Sequence, residues 1–389
     1  MIKKIAILGS TGSIGKSLLK IINKDKKNFI IKFLSARKNY KELLKQAKTF
    51  NVNNVILTDK KYFQLYKSKF LKEKINIFND YSSLKKILNI KLDYVMSSIV
   101  GLDGLIPTIE IIKHTKTIAI ANKETIICAW NLIQQELNKH GTKFIPVDSE
   151  HFSIWYALNQ NSKFNIKKIY LTASGGPLLN ISNKKVNKLP IEKIIKHPTW
   201  KMGKKISVDS STMMNKVYEI IEAKKIFNIH YKKISILIHP KSYIHAIVHF
   251  KDGMTKIIAH ETTMEIPIFN TLFSNKNINI KNLKPNLFKL NNLDLKNIDN
   301  KKFPLVNIIK KIPNKDTLFE TVIVSTNDVL VNLFLEKKIK YNDIIHKMLK
   351  IINTKEFIKY KKKYPKNVSD IIELSKYVRL KVLEKVYKN

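Results

Sequence analysis

Short apolar runs bounded by polar turns recur through the first 147 residues, at 2–9, 28–36, 52–58, 92–100, 116–122 and 142–148. Each contains Ile, three of them Val as well, and the runs are mostly apolar, as strands buried on both faces must be. Stretches such as SIGKSLLKIINKD and NYKELLKQAKTF lie between most of them, with apolar positions at helical spacing. The alternation predicts a parallel sheet with helices on both faces.

From Asp148 to residue 274 the pattern changes. Strand-like KKIYLTASG and ISILIHP flank a loop containing Gly, Pro and Trp, and TMMNKVYEIIEAKKIF has the period of a helix. Residues 275–300 are rich in Asn and Lys with little period, which predicts a linker. Residues 301–389 read as helical throughout, which predicts a small helix bundle. The fold class is therefore α/β: a Rossmann-like domain at 1–147, an α+β domain at 148–274, a linker, and a C-terminal bundle.

Composition narrows the setting. The 389 residues are 44% hydrophobic and 26% charged, the balance of a folded chain. No run of about eighteen apolar residues occurs, so no membrane span is expected. The opening MIKKIAILGS reads as a buried strand rather than a targeting peptide, and Cys128 is the only cysteine. Both fit a cytoplasmic protein. The net charge of +42 raises nucleic acid as a partner. Yet the lysines are spread through every segment without a basic stripe, zinc-finger spacing or aromatic RNA-binding signature. Solvated surface lysine is the better reading, with no specific nucleic acid bound.

Several motifs carry chemistry. Gly9, Gly12 and Gly15 lie in GSTGSIG, which follows the first strand and opens a helix, the setting in which a dinucleotide pyrophosphate is cradled. The second strand ends in Ala36-Arg37-Lys38-Asn39, without the acidic residue that would hold an NAD ribose, so NADP(H) is preferred. In PVDSEH, extended chain would turn Asp148 and Glu150 to one side. Glu219 and Glu222 lie three apart on the expected helix, hence on one face. Carboxylates alone favour Mg²⁺ or Mn²⁺ over zinc, with Co²⁺ a third candidate. Ser174-Gly175-Gly176 and the stretch from Ser207 to Thr212, placed just before the helix, resemble anion cradles, with Asn215 and Lys216 adding donors. Between them, residues 197–203 have the composition of a mobile loop bearing His197 and Trp200.

Read together, GSTGSIG, ANKE (121–124), PVDSEH, SGGP (174–177), HPTWKMG and KISVDSSTMMNK with Glu219 and Glu222 resemble the 1-deoxy-D-xylulose 5-phosphate reductoisomerase family. The resemblance implies NADPH-dependent, metal-assisted rearrangement and reduction of that sugar phosphate to 2-C-methyl-D-erythritol 4-phosphate, and a homodimer formed through the 148–274 domain. It implies Asp148, Glu150 and Glu219 as metal ligands. Lys123 and Ser149 would contact the reacting end of the substrate, and Ser174, Ser210, Asn215 and Lys216 its phosphate and backbone. His197 and Trp200 would belong to the lid. Thr11, Gly12, Ser13, Ile14, Asn39, Asn122, Glu124 and Gly203 would contact NADPH, beside Arg37 and Lys38. Ser325-Thr326-Asn327-Asp328 departs from the family's usual pattern. Two other readings remain: a metal-dependent NADP hydroxy-acid dehydrogenase, and a basic nucleic-acid-binding protein with a retired Rossmann domain.

Overall fold

A computed structural model describes residues 2–158, 165–273 and 284–387. Contacts divide the chain into two compact units. The first takes the chain to Thr125, Asn131–Asp148 and a segment from Met264; the second takes Ile126–Trp130, Ser149–Thr263 and the C-terminal segment.

The first unit is built on a seven-stranded, wholly parallel sheet. Its strands are β1 (Lys3–Leu8), β2 (Phe29–Ala36), β3 (Asn54–Leu57), β4 (Asn76–Phe78), β5 (Tyr94–Ser97), β6 (Thr117–Ile120) and β7 (Lys143–Pro146), in the order β4-β3-β2-β1-β5-β6-β7. Six fall on the six apolar runs; β4, with three residues, is too short to leave a pattern. Ile5, Ala6, Ile7 and Leu8 of β1 are fully buried, each large side chain contributing about 1.5–3 kcal/mol of transfer energy. Because β1 lies between β2 and β5, strand order reverses beside it, where a ligand crevice forms at the carboxyl ends.

The helix Glu265–Leu272 belongs to this unit, against the helix Ser13–Asn23. Ile268 and Leu272 enter the core, Lys3 donates to the Leu272 carbonyl (2.6 Å), and Tyr94 bonds the Thr271 hydroxyl (2.8 Å). By contacts, the chain thus rejoins the first unit at Met264. The apolar face of this helix fits a surface formed by residues far away in sequence.

The second unit holds a mixed five-stranded sheet, ordered β11-β10-β8-β9-β12. Its strands are β8 (Ile166–Ala173), β9 (Ile234–Ile238), β10 (Ile244–Phe250), β11 (Thr255–Ala259) and β12 (Lys296–Asn297). β8 and β9 are parallel, and the remaining pairs are antiparallel. β12 and the helix Leu287–Asn291 lie where a linker was expected, so that segment is structured from residue 284; its portion 275–283 lies outside the described residues.

The C-terminal helices pack on one another and group with this same unit by contacts. The helix Phe319–Leu335 is buried on nearly every side. It packs against the helices Tyr341–Ile352, Val368–Tyr387 and Lys204–Ser211, which cover its polar as well as its apolar positions. Among the described residues, no helix is long and apolar enough to cross a membrane.

Candidate active site

In the first unit, the loop after β1 requires its glycines. Gly9 has φ +80°, and a Cβ there would meet the Ser98 carbonyl oxygen at 2.9 Å. At Gly15 a Cβ would lie 2.5 Å from the Ser10 Cα, so only glycine lets the helix sit this close to the loop. Gly12 precedes the Ser13–Asn23 helix and has no side chain to cap it, leaving the first-turn N–H groups for an anion. Thr11, Ser13 and Ile14 surround that turn, half-buried or exposed. Ser10 is buried: its hydroxyl donates to Gln46 Oε1 (2.7 Å), and Gln46 Nε2 donates to the Ser10 carbonyl (3.1 Å). Gln46 is a loop support that the sequence motif alone did not reveal.

The cations after β2 are both exposed and already paired. Arg37 meets Asp103 (2.9 Å), and Lys38 lies 3.7 Å from Asp59. Asn39 caps the helix Tyr40–Thr49 by accepting from the Glu42 N–H (3.2 Å). Asn122 likewise caps the helix Lys123–His140, accepting from the Thr125 N–H (2.9 Å). Its amide nitrogen donates to the carbonyls of Gly101 (2.7 Å) and Ile99. Both asparagines thus hold the frame whatever else they contact. Lys123, the next residue, forms an ion pair with Asp148 (2.8 Å), and Glu124 is buried.

The second unit resumes at Ser149, one residue after Asp148. Glu150 does not lie in extended chain, as the sequence pattern suggested; it occupies the first turn of the helix Ser149–Leu158. Ser149 Oγ donates to Glu150 Oε2 (2.6 Å). Lys216, on the helix Met214–Phe227, is buried and reaches three oxygens: Glu150 Oε1 (2.7 Å), a Glu219 carboxylate oxygen, and the Thr172 carbonyl (2.5 Å). Asn215 donates to the other oxygen of Glu219. Burial alone would lower the Lys216 pKa, but Glu150 and then Glu219 outweigh it and hold the ammonium above its ordinary value. Two carboxylates and one ammonium leave a net negative charge among these three groups.

Glu219 and Glu222 take different partners despite their spacing. Glu222 lies 3.4 Å from His151 Nδ1, while His151 Nε2 donates to the Glu219 carbonyl (2.8 Å). With Glu222 facing a buried imidazole, Glu219 is the helix's carboxylate beside Glu150.

The Ser207–Thr212 stretch does more than precede a helix. It is mostly helix itself, Lys204–Ser211, beginning after the exposed Gly203. Ser207, Ser211 and Thr212 turn their hydroxyls back to the carbonyls of Gly203, Val208 and Asp209. Ser210 alone of these four is half-buried rather than buried. A Cβ on Gly176 (φ +67°) would meet the Ser210 carbonyl oxygen at 2.8 Å, so the Ser174-Gly-Gly turn packs directly on this helix. The two expected cradles are one surface.

His197 joins the loop to that surface. Its Nδ1 accepts from the N–H groups of Thr199 (3.2 Å) and Trp200 (2.9 Å), which leaves the proton on Nε2 to be donated to Ser174 Oγ (2.9 Å). Burial first, then the positive field of Lys216, lower the His197 pKa to about 4, keeping it neutral. Trp200 is half-buried and packs edge-on against His245, with ring centroids 6.0 Å apart. His245 stacks on His260 at 3.7 Å. Sequence reasoning passed over this pair; the signal was a histidine inside the apolar strand IHAIVHF.

With this geometry in place, comparison with known proteins decides the family. The pattern of 1-deoxy-D-xylulose 5-phosphate reductoisomerase matches residues 5–130, and two patterns of its C-terminal domains match 144–227 and 260–381. A relative of that name from Pelagibacter ubique is 57% identical over 383 residues, covering 98% of each chain. The chain belongs to the 1-deoxy-D-xylulose 5-phosphate reductoisomerase family. A reductoisomerase of Clostridium perfringens is 36% identical, covering 98% of this chain and 99% of its own. The solved reductoisomerase of Zymomonas mobilis with NADPH superposes with a TM-score of 0.87 at 29% identity, covering 99% of both chains. A reductoisomerase with NADPH, fosmidomycin and magnesium gives 0.92 at 28% identity, covering 99% of this chain and 98% of that one. The chain is thus an NADP-dependent oxidoreductase converting 1-deoxy-D-xylulose 5-phosphate to 2-C-methyl-D-erythritol 4-phosphate. Neither the hydroxy-acid dehydrogenase nor the nucleic-acid-binding reading is favoured.

Proposed function

We propose how this chain divides that reaction among its residues. The observation carrying the assignment is Lys216, a buried cation between Glu150 and Glu219 beside the Ser174 and Ser210 surface. A cation already sits between these two carboxylates, and their all-oxygen donor set fits a hard divalent ion. Glu150, Glu219 and Asp148 would hold Mg²⁺ or Mn²⁺, and Thr11, Gly12, Ser13, Ile14, Arg37, Lys38, Asn39, Asn122, Glu124 and Gly203 would serve NADPH. When bound, the ion supplies Lewis acidity toward the substrate's ketone and hydroxyl oxygens, and NADPH supplies hydride.

The protein's own groups do the rest. Ser174, Ser210, Asn215 and Lys216 bind the phosphate and sugar backbone, spending remote binding energy on orientation at the reacting carbons. Ser149, its hydroxyl directed by Glu150, and Lys123 contact the ketone and hydroxyl end. Neutral His197 holds the Ser174 hydroxyl at Nε2, and Trp200 excludes water when the 197–203 loop closes.

The protein works as a cytoplasmic homodimer. β11 supports this, as a sheet-edge strand with Ile257 48% exposed beside Met254 at 68%. The many lysines act as solvated surface, and no specific nucleic acid is bound. Purified protein given deoxyxylulose phosphate, NADPH and Mg²⁺ should consume NADPH and yield methylerythritol phosphate. NADPH consumption with 2-oxo-acid substrates instead, or NADP+ reduction by 2-hydroxy acids, would overturn the assignment.

A further inference from the structure

The Ser325-Thr326-Asn327-Asp328 segment lies on the Phe319–Leu335 helix, in the interior of the second unit. Asn327 and Asp209 are both almost wholly buried, and Asn327 Nδ2 donates to Asp209 Oδ1 (2.7 Å). Asp209 is the residue before Ser210. One position on, Asp328 is shared by two cations: Lys205 (2.5 Å) and Arg379 (2.6 Å), the latter on the Val368–Tyr387 helix. Lys205 stands two residues after Gly203, where the 197–203 loop ends. The pair Asn327–Asp328 therefore grips the Lys204–Ser211 helix at both ends.

We infer that Asn327 and Asp328 are positioning residues, setting substrate affinity by fixing Ser210 through Asp209 and the loop's exit through Lys205. This rests on the proposed role of Ser210 in phosphate binding. A merely structural contact would need no buried charge: an apolar pair of similar volume would pack as well, whereas a carboxylate–amide bond specifies one register of helix on helix. The register matters here because the Lys204–Ser211 helix also supports the Ser174-Gly-Gly turn through the close approach of Gly176. A small slide of this helix would move both phosphate-side serines together. The Asn327–Asp209 bond bears on Ser210 and not on the residues assigned to NADPH, so a change at Asn327 should leave NADPH affinity near normal, whereas the Lys205 contact adjoins Gly203.

The test is a charge swap with kinetics. N327D places a second carboxylate against Asp209 and should raise the KM for deoxyxylulose phosphate about tenfold or more, with NADPH affinity by fluorescence titration unchanged. The double variant N327D/D209N restores one carboxylate and one amide with polarity reversed, and should return KM to within about threefold of the parent. D328E should keep near-parental KM, whereas D328N should raise it severalfold. Should N327D fail to fold, the double variant and the D328 pair still decide the matter. A folded N327D with parental KM, or a swap that rescues melting temperature but not KM, would overturn the inference. S210A serves as the control: an unchanged KM there refutes the phosphate role of Ser210, whereas a raised KM in S210A beside a parental N327D refutes only the grip.

Discussion

His197 donates its Nε2 proton to the Ser174 hydroxyl across 2.9 Å, while its Nδ1 accepts from the amides of Thr199 and Trp200. One imidazole therefore closes the loop's own turn and ties that turn to the phosphate-side surface. Protonation would cancel the acceptor role of Nδ1, so this geometry requires the neutral ring.

The His197 pKa of about 4, against an ordinary value near 6.5, gives a pH dependence with a definite sign. Between these values the unfolded chain binds the proton more tightly than the folded one. Stability should therefore fall as pH drops from about 6.5 to about 4, and this group should contribute no slope above that window. Thermal melts of the parent and of His197→Asn across pH 4–8 should differ most at the acid end, with the parent losing more. Parallel curves would mean that the ring is not held neutral.

For the metal, Glu219→Gln removes one carboxylate beside Lys216 and leaves that ammonium facing Glu150. Turnover should collapse, while NADPH binding to the first unit stays near normal. Mg²⁺ at roughly 100 times Kd should stabilise the parent by about 2.7 kcal/mol, and so raise its melting temperature. The variant should lose this effect. Activity that persists in the variant after exhaustive chelation would remove the metal from the assignment.

How much of this was readable beforehand follows from which contacts are local. Strands such as β1 and β2 announce themselves because both faces are buried, so every residue from Ile5 to Leu8 is apolar. The glycines of GSTGSIG are legible because a turn's backbone needs are written in the turn. The helix Lys204–Ser211 left little pattern because Ser and Asp favour caps and loops; here Asn327, 118 positions away, bonds Asp209 within that helix. The pairing of Lys216 with Glu150 spans 66 positions, and spacing could place Glu219 and Glu222 on one helix but not divide their partners. The return of the Glu265–Leu272 helix to the first unit is of the same kind: a face known to be apolar whose cover lies elsewhere in the chain.

Cofactor choice is predicted to rest on Arg37 and Lys38. Purified protein should prefer NADPH over NADH by at least about tenfold in specificity, roughly 1.4 kcal/mol. Arg37→Glu should bring the two close to parity by repelling a 2′-phosphate. Asp103→Asn releases Arg37 from its exposed ion pair and should keep or sharpen the preference. Equal use of both cofactors by the parent would dismiss this role.

The edge strand β11 carries the prediction on assembly. Light scattering should give a dimer for the parent, and Ile257→Lys, on an exposed edge position, should shift it toward monomer without unfolding the sheet. A monomeric parent at micromolar concentration would remove the homodimer.

The Trp200 indole is half-buried and leans edge-on against His245, not enclosed in a core. Its loop is anchored at one end by His197 on Ser174 and at the other by the helix that begins at Lys204. An aromatic so placed can move with the loop and cover a ligand, and shutting water out strengthens every charge interaction beneath it. Trp200→Ala should therefore raise the KM for deoxyxylulose phosphate, lower turnover and weaken fosmidomycin. The same change should cost little stability, about 1 kcal/mol or less for a lost edge-on aromatic contact. A core anchor behaves otherwise, since truncating a fully packed tryptophan costs about 3–5 kcal/mol. Melting temperature and kinetics measured on the same preparation separate the two. A large stability loss with parental kinetics in the folded fraction would show that Trp200 supports the fold and closes over nothing.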